Sequence, residues 1–279
     1  MRELVMGALP ELRVHPVDKW VRARVGDTLV VSTGHPMLVW EPRRVVASYA
    51  VPRDDVAGDL VPVDGADASG AEQPVALDRS GQRVLDPRTP FSVHSCPGTP
   101  LTIRAGDDQL VGAAFAPDDP DLEGYVVLDW KAFTQWYEES EPVMGHPHDP
   151  YDRIDCLRSS RHVTLRADGQ VLADSDRATL LFETPLPVRY YFPREDVATE
   201  LLEESERHTV CAYKGQAAYW SARVGERVLP DIAWTYEDPL HDALPVRGLV
   251  AFFTERLDLT VDGVDLPRPV TPWSDAPPG

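Results

Sequence analysis

The chain has 279 residues, enough for one large domain or two of about 100–150 residues each. Acidic residues outnumber basic ones 46 to 27, and the formal net charge of −19 argues against binding to phosphate backbones. Cys96, Cys156 and Cys211 stand too far apart for a disulfide framework or a zinc ribbon, and no stretch reaches the roughly 18 apolar residues of a membrane span.

From the N-terminus, "MRELVMGALPEL" lacks the apolar run of a signal peptide, so a cytoplasmic protein is the expectation. "WVRARVGDTLVVSTGHPMLVWEP" (Trp20 to Pro42) comes next, and then "VVASYAVPRDDV" (Val45 to Val56). Both are runs of short apolar segments broken by Gly and Pro, as in strands. Pro62 to Pro90 is rich in Gly, Pro, Asp and Ser and reads as a long loop or flap. Strand-like blocks resume at Cys96 and continue to "GYVVLDWKAFTQWYEE". The segment "EESEPVMGHPHDPYDR" (Glu138 to Arg153) is polar and studded with proline, as a linker is.

The second half of the chain repeats the first, at a period near 140. "VTLRADGQVLADSDRATLLFETP" (Val163 to Pro185) runs beside the Trp20 block, with Gly169 facing Gly26 and Ser175 facing Ser32. "VRYYFPREDV" repeats the Val45 block, Cys211 faces Cys96, and "RVGERVLPDIAWTYEDP" repeats "RAGDDQLVGAAFAPDDP". Asp168-Gly169 is a strong hairpin signal, and a second hairpin is expected around Gly225. "TLLFE" and "VRYYFP" read as strands. "REDVATELLEE" (Arg194 to Glu204) reads as a helix with acids at its positive end, and "PVRGLVAFFTERL" leans towards a short helix. The sum is a mainly β chain of two tandem antiparallel domains, residues 1–145 with the long loop 62–90 and residues 146–279.

The ordered segments "LFET", "RYYFPREDV", "YKGQAAYWS", "AWTYEDP" and "LTVDGV" resemble the family called domain of unknown function 427, sometimes labelled nucleotidyltransferase-like. The resemblance covers nearly the whole chain as a tandem pair. It implies a tent-like β fold and no established activity. The nucleotidyltransferase label would require a magnesium-holding carboxylate pair and a phosphate-cradling Gly loop, and neither is present.

The two halves differ in equipment. The second carries Tyr190, Tyr191, Lys214, Tyr219, Trp220, Trp234 and Tyr236, where the first has Ser48, Tyr49, no lysine, Leu101 or Thr102, Phe115 and Pro117. A single site would therefore lie in the second half. Lys214 is one of three lysines in the chain. Flanked by aromatics, it is either desolvated into a base or Schiff-base nucleophile, or charged and gripping an anion. "YKG" is also good turn chemistry, with Gly215 at positive φ. Arg194 offers a guanidinium fork, although Arg53 in the other half favours a structural role. Glu195 and Asp196 read as helix caps before they read as acid and base. Tyr190 and Tyr191 face opposite ways on a strand, so one is core and Tyr191 is the candidate phenol. Tyr219, Trp220, Trp234 and Tyr236 form pocket wall or core. Cys211 lines the site or serves redox chemistry, while its retention as Cys96 favours packing. His146, His148 and Asp149 invite a metal reading, but the flanking prolines suggest a linker turn. The expectation is a cofactor-free, metal-free site for an anionic or carbonyl-bearing small molecule, with lyase- or isomerase-like chemistry. A non-catalytic module that pairs with itself, as a homodimer, or with another protein is the alternative, and thiol redox at Cys211 is a third.

Overall fold

Asp168 and Gly169 both take positive φ, +49° and +83°, as a two-residue turn matched to strand twist requires. The turn joins Val163–Ala167 to Gln170–Ser175, and the same alternation of short strand and tight turn runs throughout the molecule. The computed structural model describes residues 9–63, 76–77, 83–85, 87–150, 153–183, 186–271 and 273–274. The chain divides into two units, Met1–Ala76 with Gln82–Asp149 and Leu77–Gly81 with Pro150–Gly279. Most of the long loop expected at Pro62 to Pro90 lies outside the described residues.

In chain order the strands up to Asp149 are β1 (Arg13–Pro16), β2 (Val21–Val25), β3 (Thr28–Thr33), β4 (Met37–Trp40), β5 (Ser48–Pro52), β6 (Asp59–Pro62), β7 (Ala76–Leu77), β8 (Arg83–Val84), β9 (Gly98–Ala105), β10 (Asp108–Pro117), β11 (Tyr125–Leu128), β12 (Gln135–Glu138) and β13 (Glu141–Val143). Apart from the β7-β8 ribbon they form a seven-stranded sheet, β1-β4-β5-β11-β10-β9-β6, and a four-stranded sheet, β13-β12-β2-β3. The second unit has β14 (Ile154–Arg158), β15 (Val163–Ala167), β16 (Gln170–Ser175), β17 (Thr179–Glu183), β18 (Arg189–Phe192), β19 (Leu202–Cys211), β20 (Gly215–Val224), β21 (Arg227–Thr235), β22 (Val250–Phe252), β23 (Asp258–Val261) and β24 (Val264–Leu266). They too form a seven-stranded sheet, β14-β17-β18-β22-β21-β20-β19, and a four-stranded one, β16-β15-β23-β24. Strand for strand the order is the same, so the chain is mainly β and a two-unit pseudo-repeat.

Within each unit the two sheets share a core. Val21, Val31, Tyr49, Ile103 and Trp136 bury together in the first, and Val163, Leu165, Phe192, Ile232 and Phe252 in the second. Each large apolar side chain removed from water stabilises its unit by about 2 kcal/mol.

Strand register corrects the sequence alignment by one residue. Val21 pairs with Thr33 and Val163 with Ser175, so Thr33, not Ser32, is the counterpart of Ser175. Both hydroxyls accept the backbone N–H two residues on. The correction carries through β4 and β17, where Met37 pairs with Ala50 and Thr179 with Tyr191. Ala50 therefore takes the place of Tyr191, and Glu41 takes the place of Glu183. A slip of one residue exchanges the two faces of a strand.

Two expected helices do not form. Arg194–Asp196 and Thr199–Leu201 are single 3-10 turns, and the chain from Leu202 runs on as the ten-residue edge strand β19. An isolated helix of this length is marginal, whereas the open edge of β20 offers a full ladder of hydrogen bonds. The turn at Arg194 has no side-chain cap; Asp196 instead accepts from Ser175 and Arg177. In the second case Gly248, at φ +68°, ends a 3-10 turn, and Val250–Phe252 becomes a buried central strand. A short apolar run bounded by Gly fits either reading until its neighbours are known. The hairpin around Gly225, at φ +58°, forms as β20-β21.

Candidate functional site

Residues two apart on a strand share a face, and paired residues on neighbouring strands lie side by side. Thr179, Tyr191, Ala251, Trp234 and Tyr219 form one such row across β17, β18, β22, β21 and β20. Glu183 and Arg189 share its face through the alternation of β17 and β18. The indole Nε1–H of Trp234 donates to the Tyr191 hydroxyl at 3.1 Å, with the two rings edge to face. Tyr219 exchanges a hydrogen bond of 2.9 Å with Thr209 on β19.

Lys214 is delivered to this face by the turn that joins β19 to β20. Gly215 takes φ +94°, as expected, and the Lys214 carbonyl accepts the Leu240 N–H at 3.2 Å. The lysine is buried, and its Nζ donates to Glu183 Oε2 at 2.5 Å, each side chain 9% exposed. Burial opposes the ammonium, but the Glu183 carboxylate outweighs it and holds Lys214 above its ordinary range. Of the two readings the sequence allows for Lys214, this geometry favours the charged amine over the Schiff-base nucleophile.

Two phenols stand close enough to feel this pair. Burial pushes Tyr191 well above the ordinary phenol range, against the pull of the Lys214 ammonium. Tyr236 is raised for the same first reason, and Tyr191, Cys211 and Glu183 add to it. Both phenols stay neutral donors at physiological pH. Among the described residues the Tyr191 hydroxyl accepts from Trp234 and has no acceptor for its own proton. Cys211 lies within electrostatic reach of Lys214 and Tyr236. Cys156, raised by burial and by Asp155, feels Lys214 from β14.

Arg189 is a site neighbour that the sequence did not single out. It forms a two-pronged ion pair with buried Glu255 at 2.7 Å on each arm, and Thr271 donates to the same carboxylate at 2.7 Å. Burial would raise Glu255, but the Arg189 hydrogen bonds hold it low. Trp234, Phe253 and Trp273 surround the guanidinium at 5.6–5.7 Å. Glu183 and Glu255 were the other omissions. Their signals were present in "LFET" and "FFTERL", but a lone Glu in an apolar run does not reveal its partner.

Arg194 and Trp220 are not brought to Lys214. Trp220 is next to Tyr219 on β20 and faces the other way, and Arg194 lies over its ring at 5.3 Å. Exposed Arg194 also pairs with Glu237 and donates to the Gly248 carbonyl at 3.2 Å. Tyr190 and Tyr191 face opposite ways as expected, yet both are buried. The linker His148 donates its backbone N–H to Glu138 at 3.0 Å, and among the described residues no group of three or more His, Cys, Asp or Glu is placed to hold a metal ion. Among the described residues no helix is long and apolar enough to cross a membrane.

No curated protein matches the chain. Residues 155–263, the segment that builds the Lys214 cluster, match the family model described as domain of unknown function DUF427.

Proposed function

We propose that the C-terminal unit binds a small carbonyl-bearing molecule on the outer face of its seven-stranded sheet and moves a proton on it without a cofactor, in a lyase- or isomerase-like step. The observation that carries this reading is the buried Lys214–Glu183 pair beside Tyr191, a buried neutral phenol that accepts from Trp234 and has no acceptor for its own proton among the described residues. A buried hydroxyl left without an acceptor is costly, and a ligand oxygen would satisfy it. Lys214 and Tyr191 would hold the carbonyl oxygen and stabilise the negative charge that grows on it when the Glu183 carboxylate takes the proton from the neighbouring carbon. Trp234, Tyr219 and Tyr236 supply apolar wall. A metabolite screen by thermal shift tests this, with Tyr191→Phe as the informative variant because it leaves the ion pair intact. Carbonyl compounds should raise the midpoint of the native chain and lose that effect in the variant; an unchanged response removes the phenol from the site.

The alternative, a non-catalytic pairing module, is favoured by a different feature. Leu157 on edge strand β14 is 50% exposed and Phe182 on the adjacent β17 is 39% exposed. An apolar sheet edge invites pairing. Leu157→Asp followed by sedimentation velocity tests it: loss of a dimer supports self-association, and a monomer in both proteins removes the homodimer.

A further inference from the structure

The first unit holds its own acid–base pair at the place where the second holds Lys214 and Glu183. Glu41 stands one residue past β4, in register with Glu183, and is 2% exposed. In both units the partner comes from the segment that leads into the equivalent strand, His94 before β9 and Lys214 before β20. His94 Nδ1 lies 3.1 Å from Glu41 Oε1, and the Ser95 N–H donates to Glu41 Oε2 at 2.8 Å. A carboxylate only accepts, so Nδ1 carries the proton, and the lone pair of the neutral ring lies on Nε2. Among the described residues Nε2 has no hydrogen-bond partner.

The surroundings fix the ring in place. Its face stacks on Phe115 at 3.6 Å with the planes 6° apart, and Phe91 meets it edge-on at 5.1 Å. Phe115 is the counterpart of Trp234, and Ala50, in the place of Tyr191, is buried in an apolar cluster with Val39 and Val127 against which Phe91, Cys96 and Tyr125 pack. Arg44 Nε lies 3.6 Å from Glu41, so the carboxylate charge is balanced. The Cys96 thiol, 3.9 Å from Glu41, is pushed up to about 12 by burial and by the nearby carboxylates, which leaves it a poor nucleophile.

We infer that the N-terminal unit carries a second acid–base site, in which His94 Nε2 accepts a proton from a small neutral molecule bearing an acidic O–H or N–H and Glu41 is the positioning residue. The walls are aromatic and the local ion pair is neutral, so the site selects against charged ligands. Its chemistry differs from that proposed for the second unit, because an imidazole takes a proton where the lysine cluster donates hydrogen bonds.

Diethyl pyrocarbonate, a small neutral reagent that acylates unprotonated imidazole nitrogen, tests this on the full chain, with labelled histidines located by mass spectrometry. His94 should be labelled in the native protein although its side chain is only 5% exposed. Phenol should protect His94 and not exposed His241, and His94→Gln should remove the label. Nitrogen-resolved NMR of the native chain should show His94 as the Nδ1–H tautomer. That preference should collapse in Glu41→Gln and return in Glu41→Asp, a pattern that loss of packing alone would not give. An unlabelled His94 under conditions that label His162 and His241, an Nε2–H tautomer, or labelling indifferent to phenol would overturn the proposal.

Discussion

Glu41 and Glu183 sit at equivalent positions of equivalent sheets, yet one meets an imidazole and the other an ammonium. In the first unit the surrounding face is filled by Val39, Ala50, Phe115 and Val127, a small apolar cluster apart from the main core. In the second, Tyr191, Trp234, Tyr219 and Tyr236 merge with the core, and Lys214 and Arg189 are threaded among them with their carboxylates. The comparison shows what a duplicated β unit keeps and what it changes. Strand order and the buried carboxylate are kept, because the sheet ladder and the burial of its faces depend on them. The groups on the outer face vary, because the core between the sheets does not need them.

The sharpest break in this comparison should come from Arg189→Met. It leaves Glu255 buried and unpaired, and removing one partner of such a pair costs about 3–5 kcal/mol. Peptide-resolved hydrogen exchange should show lost protection in residues 154–266 and none in the first unit. Lys214→Met should cost about 3 kcal/mol in the same peptides for the same reason. The double variant Lys214→Met with Glu183→Gln should recover at least part of that loss, because no charge is then left alone. If the single and double variants are equally unstable, the pair is not what holds the turn. Tyr191→Phe should cost about 1 kcal/mol, since it leaves the Trp234 N–H without its acceptor, and chemical denaturation measures it.

Alkaline pH should separate the units as well. Lys214, Tyr191 and Tyr236 all have folded pKa values raised above their unfolded ones. Their contribution is therefore complete below about pH 10 and lost as pH rises beyond it. In the first unit only Cys96 among the described groups is raised in a comparable way, so hydrogen-exchange protection should fall more steeply in the second unit. Equal slopes would mean that the second cluster is not closed in solution. The smallest effect belongs to Arg194→Ala. Its ion pair and its stacking on Trp220 are half exposed, and the change should stay below about 1 kcal/mol and leave ligand-induced thermal shifts intact.

Much of this architecture is local, and so it was legible in the chain. Asp168-Gly169 and Gly225 mark hairpins because their φ preferences act over two residues. The repeated Pro-Arg-acid-Asp-Val turn announces the duplication, and the lone lysine before Gly215 points to the turn that carries the cluster. The direction of the Lys214 shift was not legible, because Glu183 lies 31 residues away and only strand pairing brings it near. The same holds for Arg189, whose carboxylate is 66 residues distant.

Residue order alone determined the β class, the tight turns and the twofold repeat, since these arise from steric preference and short-range alternation. The tertiary structure decided the rest. It turned Leu202–Cys211 into an edge strand, slid the repeat by one residue so that Glu41 answers Glu183, and gave each buried cation its carboxylate. Hydrogen-bond ladders and buried charges take their partners from across the sheet, and sequence distance does not measure that separation.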